Sequence, residues 1–348
     1  MIEVAVTRRY PPGPDSAGFH LAMHFEAAAG VTVLYGPSGA GKTLTLDCIA
    51  GFVIPDTGRI LLDDRILFDA QARVNLRPQL RGCGYVFQNY ALFPNMTLRQ
   101  NLAFAAHGLP RLERHRRIGD LLDRFRLTDL AGRYPRELSG GQKQRGSIAR
   151  ALIAQPKALL LDEPARGLDA SLRADLNSVV LDIKQSLKTP MLLVTHDLEE
   201  CLAIADIVLI VEAGAVVHRS TPLDLLRNPG GAAVARLLGG FNIYEVEVLS
   251  LNRIRLFGQE MDGPQLRGCF KGDRVSVCAR PEELRLVNKP GDNRIRVTTT
   301  ARITERPQSI RADYGNELVV DVPREAWAAK SEDVWIEIPA AALRQLKT

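Results

Sequence analysis

Eight consecutive residues, Gly36-Pro37-Ser38-Gly39-Ala40-Gly41-Lys42-Thr43, constrain this chain more than any other stretch of it. They follow a short apolar run, residues 31–35, and lead into a helical pattern at Leu44. A buried strand, glycines at this spacing and a Lys-Thr pair opening a helix form a phosphate-binding loop in its required context. The glycines let backbone N–H groups turn inward onto phosphate oxygens. The helix N-terminus adds its partial positive charge. Lys42 is expected to reach the β- and γ-phosphates, and the Thr43 hydroxyl to ligate Mg²⁺. A chance Gly-rich turn rarely brings the strand, the lysine and the threonine together.

A second apolar run, residues 158–161, ends in Asp162-Glu163-Pro164. Buried strands rarely end in paired acids without a cation or a reaction to serve. Asp162 is expected to hold Mg²⁺ through water, and Glu163 to polarise an attacking water. Together the two motifs describe a phosphate-loop NTPase, which covers many functions.

Short apolar runs at 31–35, 159–162, 191–195 and 207–211 read as buried parallel strands alternating with helices, an α/β domain. Between 89 and 150 the pattern turns helical. An amphipathic stretch, 111–130, directs Leu121, Leu122, Phe125 and Leu130 to a core. After Gly239-Gly240 the character changes. Residues 244–248 alternate, and further short runs recur at 275–279, 295–303, 318–322 and 334–338, separated by turn clusters. That predicts a small all-β, OB-like barrel. The expected domains are 1–240, with a helical subdomain at about 89–150, and 241–348.

Composition removes other classes. Apolar residues are 46% and charged residues 24% of 348, enough for packed cores rather than disorder. No run approaches the roughly 20 apolar residues of a membrane span. The start lacks the basic-then-apolar pattern of a secretory leader. Five cysteines without metal-ligand spacing predict reduced thiols in a cytoplasmic protein. A formal charge of +5 decides nothing alone.

Leu138-Ser139-Gly140-Gly141-Gln142-Lys143-Gln144-Arg145 resembles the signature motif of the ABC ATPase family. Alone, Ser-Gly-Gly before a helix is only an N-cap. In order around it, Gln88 matches the Q-loop, Leu168-Asp169 the D-loop and His196 the switch histidine. The resemblance spans residues 1–240. It implies ATP and Mg²⁺ as ligands, with catalytic roles for Glu163, His196 and Gln88. It implies Thr43, Gln88 and Asp162 at the metal, and Ser139, Gly140, Gly141 and Gln142 on the γ-phosphate of an opposite, identical subunit. Two positions depart from the family. Arg166 stands in the D-loop where a small residue is usual. The adenine-stacking aromatic is assigned to Tyr10, ahead of Pro11-Pro12-Gly13-Pro14, with Phe19 as the alternative.

The tail, with Ala279-Arg280-Pro281-Glu282, resembles the TOBE-type regulatory domain of importer ATPases. Residues 66–69, 81–88 and 92–94 and the strand pair ending His24-Phe25-Glu26 look most like molybdate or related oxyanion importers. The resemblance implies an ATP-hydrolysing subunit driving solute uptake through a separate permease. The alternatives are iron, polyamine or sugar import, or a non-transport ABC ATPase. The implied partners are a second copy, the permease and, indirectly, an extracytoplasmic solute-binding protein, with no nucleic acid. The permease is expected against Tyr90, Leu92, Phe93, Pro94 and Met96, and the implied location is the cytoplasmic face of the bacterial inner membrane.

Overall fold

The computed structural model describes residues 1–13, 17–297, 301–328 and 334–347. The chain divides into two units, Met1–Leu223 and Asp224–Thr348.

The first unit opens with β1 (Ile2–Tyr10), β2 (Phe19–Ala27), β3 (Gly30–Tyr35) and α1 (Lys42–Ala50). β4 (Thr57–Leu62), β5 (Arg65–Asp69), β6 (Val74–Asn75) and β7 (Cys83–Val86) follow. A helical insertion holds α2 (Leu98–Ala105), α3 (Arg111–Arg124) and α4 (Gly140–Leu152). The unit then continues through β8 (Ala158–Asp162), α5 (Ala170–Ser186), β9 (Pro190–Thr195), α6 (Leu198–Ile204), β10 (Ile207–Glu212) and β11 (Ala215–Ser220).

Its strands form one sheet in the order β6-β5-β4-β1-β2-β11-β10-β3-β9-β8-β7. From β10 to β7 every pairing is parallel, and from β6 to β2 every pairing is antiparallel. Burial follows the difference. β8 and β9 are buried at every position, as strands covered on both faces must be. β1 instead buries Ile2, Val4 and Val6 and leaves the residues between them more open.

Register fixes where the parallel strands end. Tyr35 pairs with Thr195, Val194 with Asp162, and Leu161 with Val86. The loops after β3, β9, β8 and β7 therefore leave the sheet along one edge, the carboxyl edge where open α/β sheets bind ligands.

The stretch 111–130 is shorter as a helix than its periodicity predicts. α3 stops at Arg124, and Arg126 takes φ +54°, which a right-handed helix cannot continue. Ile118, Leu122, Phe125 and Leu127 are buried, while Leu121 and Leu130 are only half-buried.

Arg81 is fully buried and organises the far end of α1. Its Nη1 donates to the carbonyls of Cys48 at 2.7 Å and Ile49 at 2.8 Å, and its Nε to that of Leu76 at 2.8 Å. A cation on the last carbonyls of a helix satisfies orphan acceptors and complements the dipole.

α7 (Pro222–Arg227) carries the division between the units, and α8 (Ala232–Leu238) follows it. The expected boundary at residue 240 thus moves upstream. The reason is that Ala235 packs with Ile243, Cys278 and Leu346, and Lys347 N donates to Gly230 O at 2.7 Å.

The remaining strands are β12 (Asn242–Ser250), β13 (Arg253–Leu256), β14 (Gln259–Asp262), β15 (Arg274–Ala279) and β16 (Arg285–Val287). They continue with β17 (Arg294–Val297), β18 (Arg302–Glu305), β19 (Ser309–Asp313), β20 (Val319–Pro323), β21 (Val334–Glu337) and β22 (Arg344–Gln345). In place of the single OB-like barrel expected, the described residues form three sheets: β14-β13-β12-β15-β22, β16-β21-β17 and β18-β19-β20. Tyr244, Val246, Val277, Val320 and Ile336 nevertheless share one apolar core. The strands from 285 onward have two to five residues, too short for the continuous staggered pairing a closed barrel needs. Side chains bridge instead: Asn242 donates to Val319 O at 2.7 Å and accepts from Val319 N at 3.0 Å. The run predicted at 295–303 is split between β17 and β18. Its residues 298–300 lie outside the described residues, as does Pro14.

Candidate functional site

The loop after β3 is shaped by close approach. A Cβ on Gly36 would sit 2.1 Å from Val211 O, so only glycine lets the chain pass. Gly41 takes φ +97°, and a Cβ there would meet Leu21 Cδ1 at 2.7 Å and Phe19 Cζ at 3.0 Å. α1 begins directly after it, and no side chain caps its first turn. Those backbone N–H groups are left for a ligand.

Lys42 is buried, and its Nζ donates to Gly36 O and Pro37 O, each at 2.8 Å. Burial lowers its pKa, against the opposing pull of Glu163 and Asp162. The Thr43 hydroxyl donates to Asp162 Oδ1 at 2.8 Å. Burial raises the Asp162 pKa, while the Thr43 hydrogen bond opposes the rise. These are hard oxygen donors, the kind Mg²⁺ takes. Among the described residues no cluster of three or more His, Cys, Asp or Glu could hold a metal. A site of one carboxylate and one hydroxyl suits an ion that keeps waters and substrate phosphates as its other ligands.

Glu163 follows β8 with φ +43°, an uncommon conformation for a residue with a side chain, and its N–H donates to Val194 O at 3.0 Å. This turn aims the carboxylate across the strand ends. Oε1 lies 3.2 Å from His196 Nδ1, and Oε2 accepts from Arg166 Nη1 at 3.1 Å. With its amide turned so that both ends meet complementary groups, Gln88 accepts from Arg166 Nε at 3.0 Å. Gln88, expected near the metal, is thus held by Arg166.

One cavity of about 390 Å³ collects Phe19, Ser38, Gly39, Lys42, Thr43, Gln88, Glu163 and Arg166. Phe19, not Tyr10, lines it. The two face each other across the β1–β2 ladder, and Arg8 lies over the Tyr10 ring at 5.2 Å. Two aromatics in register are indistinguishable by residue type, and only the path of β2 past Gly41 separates them. Beside this cavity, Thr195, His196 and Glu200 line a smaller one with Glu163 and Arg166. The buried Glu200 carboxyl accepts from Thr195 Oγ1 at 2.5 Å, and burial raises its pKa to about 7.

Ser139, Gly140, Gly141 and Gln142 lie outside the Lys42 cavity. Ser139 Oγ accepts from Gln142 N at 3.3 Å, and Gln142 Oε1 from Ser139 N at 2.9 Å, a complete capping box on α4. A Cβ on Gly141 would sit 2.9 Å from Leu172 Cδ2, so the first turn of α4 abuts that of α5. The same α4 holds the segment after Gln88. Ser147 donates to Tyr90 O and Arg150 to Ala91 O, each at 2.6 Å, and both acceptor residues have positive φ. Phe93 and Phe104 stack edge to face at 4.7 Å and are exposed, with Pro94 beside them and Leu92 and Met96 half-buried.

The sequence profile described as ABC transporter matches residues 22–166. The chain is 38% identical to the molybdenum import ATP-binding protein ModC of Rhodospirillum rubrum, over 70% of this chain and 67% of that protein. It is 36% identical to the sulfate/thiosulfate import ATP-binding protein CysA of Thermosynechococcus vestitus, over 86% and 84%. It is 35% identical to the spermidine/putrescine import ATP-binding protein PotA of Nitrosospira multiformis, over 84% and 80%. Among solved structures, the ATP-binding cassette MJ0796, in a dimeric post-hydrolysis state bound to ADP and Pi, matches with a TM-score of 0.54. That likeness has 26% identity and covers 64% of this chain and 99% of the cassette.

Proposed function

Because this chain belongs to the ABC transporter family, among its import ATP-binding proteins, we propose that it is the ATP-hydrolysing subunit of a bacterial importer. The observation that carries the reading is the single cavity where Lys42, Thr43, Gln88 and Glu163 meet at the strand ends. ATP binds with its β- and γ-phosphates on the Gly36–Thr43 loop and the uncapped start of α1. Lys42 leaves its two carbonyls for the phosphates, and Phe19 is the aromatic for the adenine. Thr43 and Asp162 would hold Mg²⁺, which when bound would neutralise charge on the phosphate oxygens. Glu163 orients and deprotonates the attacking water, and His196, on the other carboxylate oxygen, fixes the Glu163 orientation.

Two copies related by a two-fold axis would each supply Ser139–Gln142 to the other's nucleotide, completing two equal sites from one surface. The Phe93–Phe104 patch is the docking surface for a permease helix. The Ser147 and Arg150 bonds tie that patch to α4, so closure of the dimer is felt at the membrane partner. The protein sits peripherally on the cytoplasmic face of the membrane; no described helix is long and apolar enough to cross it. The second unit is a TOBE-type regulatory domain. The imported solute is molybdate or a related oxyanion, delivered to the permease by an extracytoplasmic binding protein. A polyamine is the alternative that the likeness to PotA keeps open.

The decisive variant is Glu163→Gln. Loss of a general base lowers turnover about 10³-fold, while Mg²⁺–ATP binding is kept and the nucleotide-bound dimer accumulates by mass action. Size-exclusion chromatography with Mg²⁺–ATP that yields only monomer, together with normal turnover, would contradict the reading. Hydrolysis by the reconstituted importer, compared with molybdate-, sulfate- and spermidine-loaded binding proteins, identifies the solute.

A further inference from the structure

Arg166 is a cation inside the hydrolytic cavity with no part in the chemistry above. It lies in the turn after Glu163, its own N–H closing that turn on Glu163 O at 3.1 Å. Its guanidinium spans two partners, Glu163 Oε2 through Nη1 at 3.1 Å and the Gln88 amide oxygen through Nε at 3.0 Å. The side chain is 58% exposed, so these contacts rather than packing hold it. Lys42, the other cation of the cavity, is tied back to two backbone carbonyls. Arg166 is therefore the permanent cation in direct contact with the Glu163 carboxylate in the unloaded subunit.

A divalent cation held by Thr43 and Asp162 arrives beside the same carboxylate pair. A guanidinium on Glu163 and Mg²⁺ on the adjacent Asp162 are like charges in a partly buried cavity, and each weakens the other. Arg166 also holds the Gln88 amide oxygen, which is then not free to turn toward a metal. Among the described residues only Glu163 and Gln88 hydrogen-bond the guanidinium, so it can swing out into solvent as the site loads.

We propose that Arg166 is a positioning residue that acts as a resident counter-cation: it holds Glu163 and Gln88 in the unloaded subunit and competes with Mg²⁺ for the site. This rests on the reading of the Lys42 cavity as an Mg²⁺–ATP site. Its signature is a dependence on metal rather than on nucleotide alone. Removing the guanidinium relieves repulsion of Mg²⁺ but also removes an attraction for metal-free ATP, so the two affinities move in opposite directions or the second stays put. A residue that merely shapes the turn would shift both together.

The experiment titrates a ribose-labelled fluorescent ATP analogue into the full-length protein, diluted to keep it monomeric, across a Mg²⁺ series and in EDTA. Arg166→Ala should reach half-saturation at about two- to fivefold lower Mg²⁺, the size expected of a half-exposed ion pair, with EDTA affinity unchanged or weaker. Arg166→Lys keeps the charge but loses the two-pronged contact, and should fall between Ala and wild type; it also serves if the alanine variant is poorly folded. An unchanged or higher Mg²⁺ requirement in Arg166→Ala, or a parallel rise of both affinities, overturns the proposal. If wild-type protein binds the analogue in neither condition, the ATP reading itself fails. Wild-type binding with Mg²⁺ dependence identical across the variants removes the counter-cation alone.

Discussion

The two Gly-rich helix starts of the first unit are finished differently by their own chain. α1 begins at Gly41 in a left-handed conformation, with no side-chain cap and a buried lysine in its first turn. α4 begins at Ser139, whose hydroxyl and the Gln142 amide satisfy each other's backbone N–H groups. At the first, orphan N–H groups, helix dipole and ammonium converge, an arrangement that suits an anion. The second is already stable without a ligand. On the composite-site proposal it adds interactions to a phosphate held by the partner's Lys42 loop. On that proposal, one subunit thus supplies a binding half and an assisting half, and the difference lies in the cap.

The largest expected effect tests what anchors the open half. Arg81→Ala strips the cation from the carbonyls of Cys48, Ile49 and Leu76 and leaves a cavity. It should cost about 3 kcal/mol of stability, read by urea unfolding of the full chain. Saturating Mg²⁺–ATP should restore part of the loss, since ligand bound only to the folded state stabilises it. A cost below about 1 kcal/mol, within the range of ordinary surface changes, would mean that the far end of α1 needs no anchor.

Next is Lys42→Ala, which removes the ammonium from the open terminus. Nucleotide affinity of the diluted single subunit should fall about 30- to 100-fold, or 2–3 kcal/mol. Unchanged affinity would make the backbone amides sufficient and remove the cation from the contrast.

Ser139→Ala is the smallest effect and the sharpest discriminator. Loss of the cap should cost about 1 kcal/mol of stability, and single-subunit nucleotide affinity should stay within about twofold of wild type. Steady-state hydrolysis at concentrations that support a dimer should still drop. If single-subunit affinity falls as it does for Lys42→Ala, the two termini serve one site within one chain, and the distinction between binding and assisting halves is wrong.

The phosphate loop, the Asp162-Glu163 pair and the Ser139 helix start were legible because each is contiguous. Its function depends on φ at glycines, on backbone N–H groups and on residues one helical turn apart, all written in the local sequence. Four of the five parallel strands, β3, β8, β9 and β10, were legible as apolar runs for the same reason: burial on both faces leaves an unbroken apolar signature, which β7, Cys83–Val86 with alternate positions half-buried, lacks. The β-rich character of the tail was legible from its alternation, but the expected all-β domain also holds a short helix, Arg324–Ala328, and its division into three sheets was not legible, since pairing partners leave no mark in short strands of similar composition.

Tertiary structure decided the rest. That Gln88, Glu163 and Thr43 share a cavity follows from strand register, Val86 against Leu161 and Asp162 against Val194, between residues 75 or more positions apart in the first case and 32 in the second. That Phe19 and not Tyr10 faces the loop follows from β2 passing Gly41. Arg81 on the carbonyls of α1 is an arginine like any other in the sequence, and Arg166 stood out only as an unusual D-loop residue, with nothing to indicate Gln88 as its partner. Their roles come from the acceptors that folding brings to them, because a long side chain is assigned by the nearest unsatisfied partner in space and not by its neighbours along the chain.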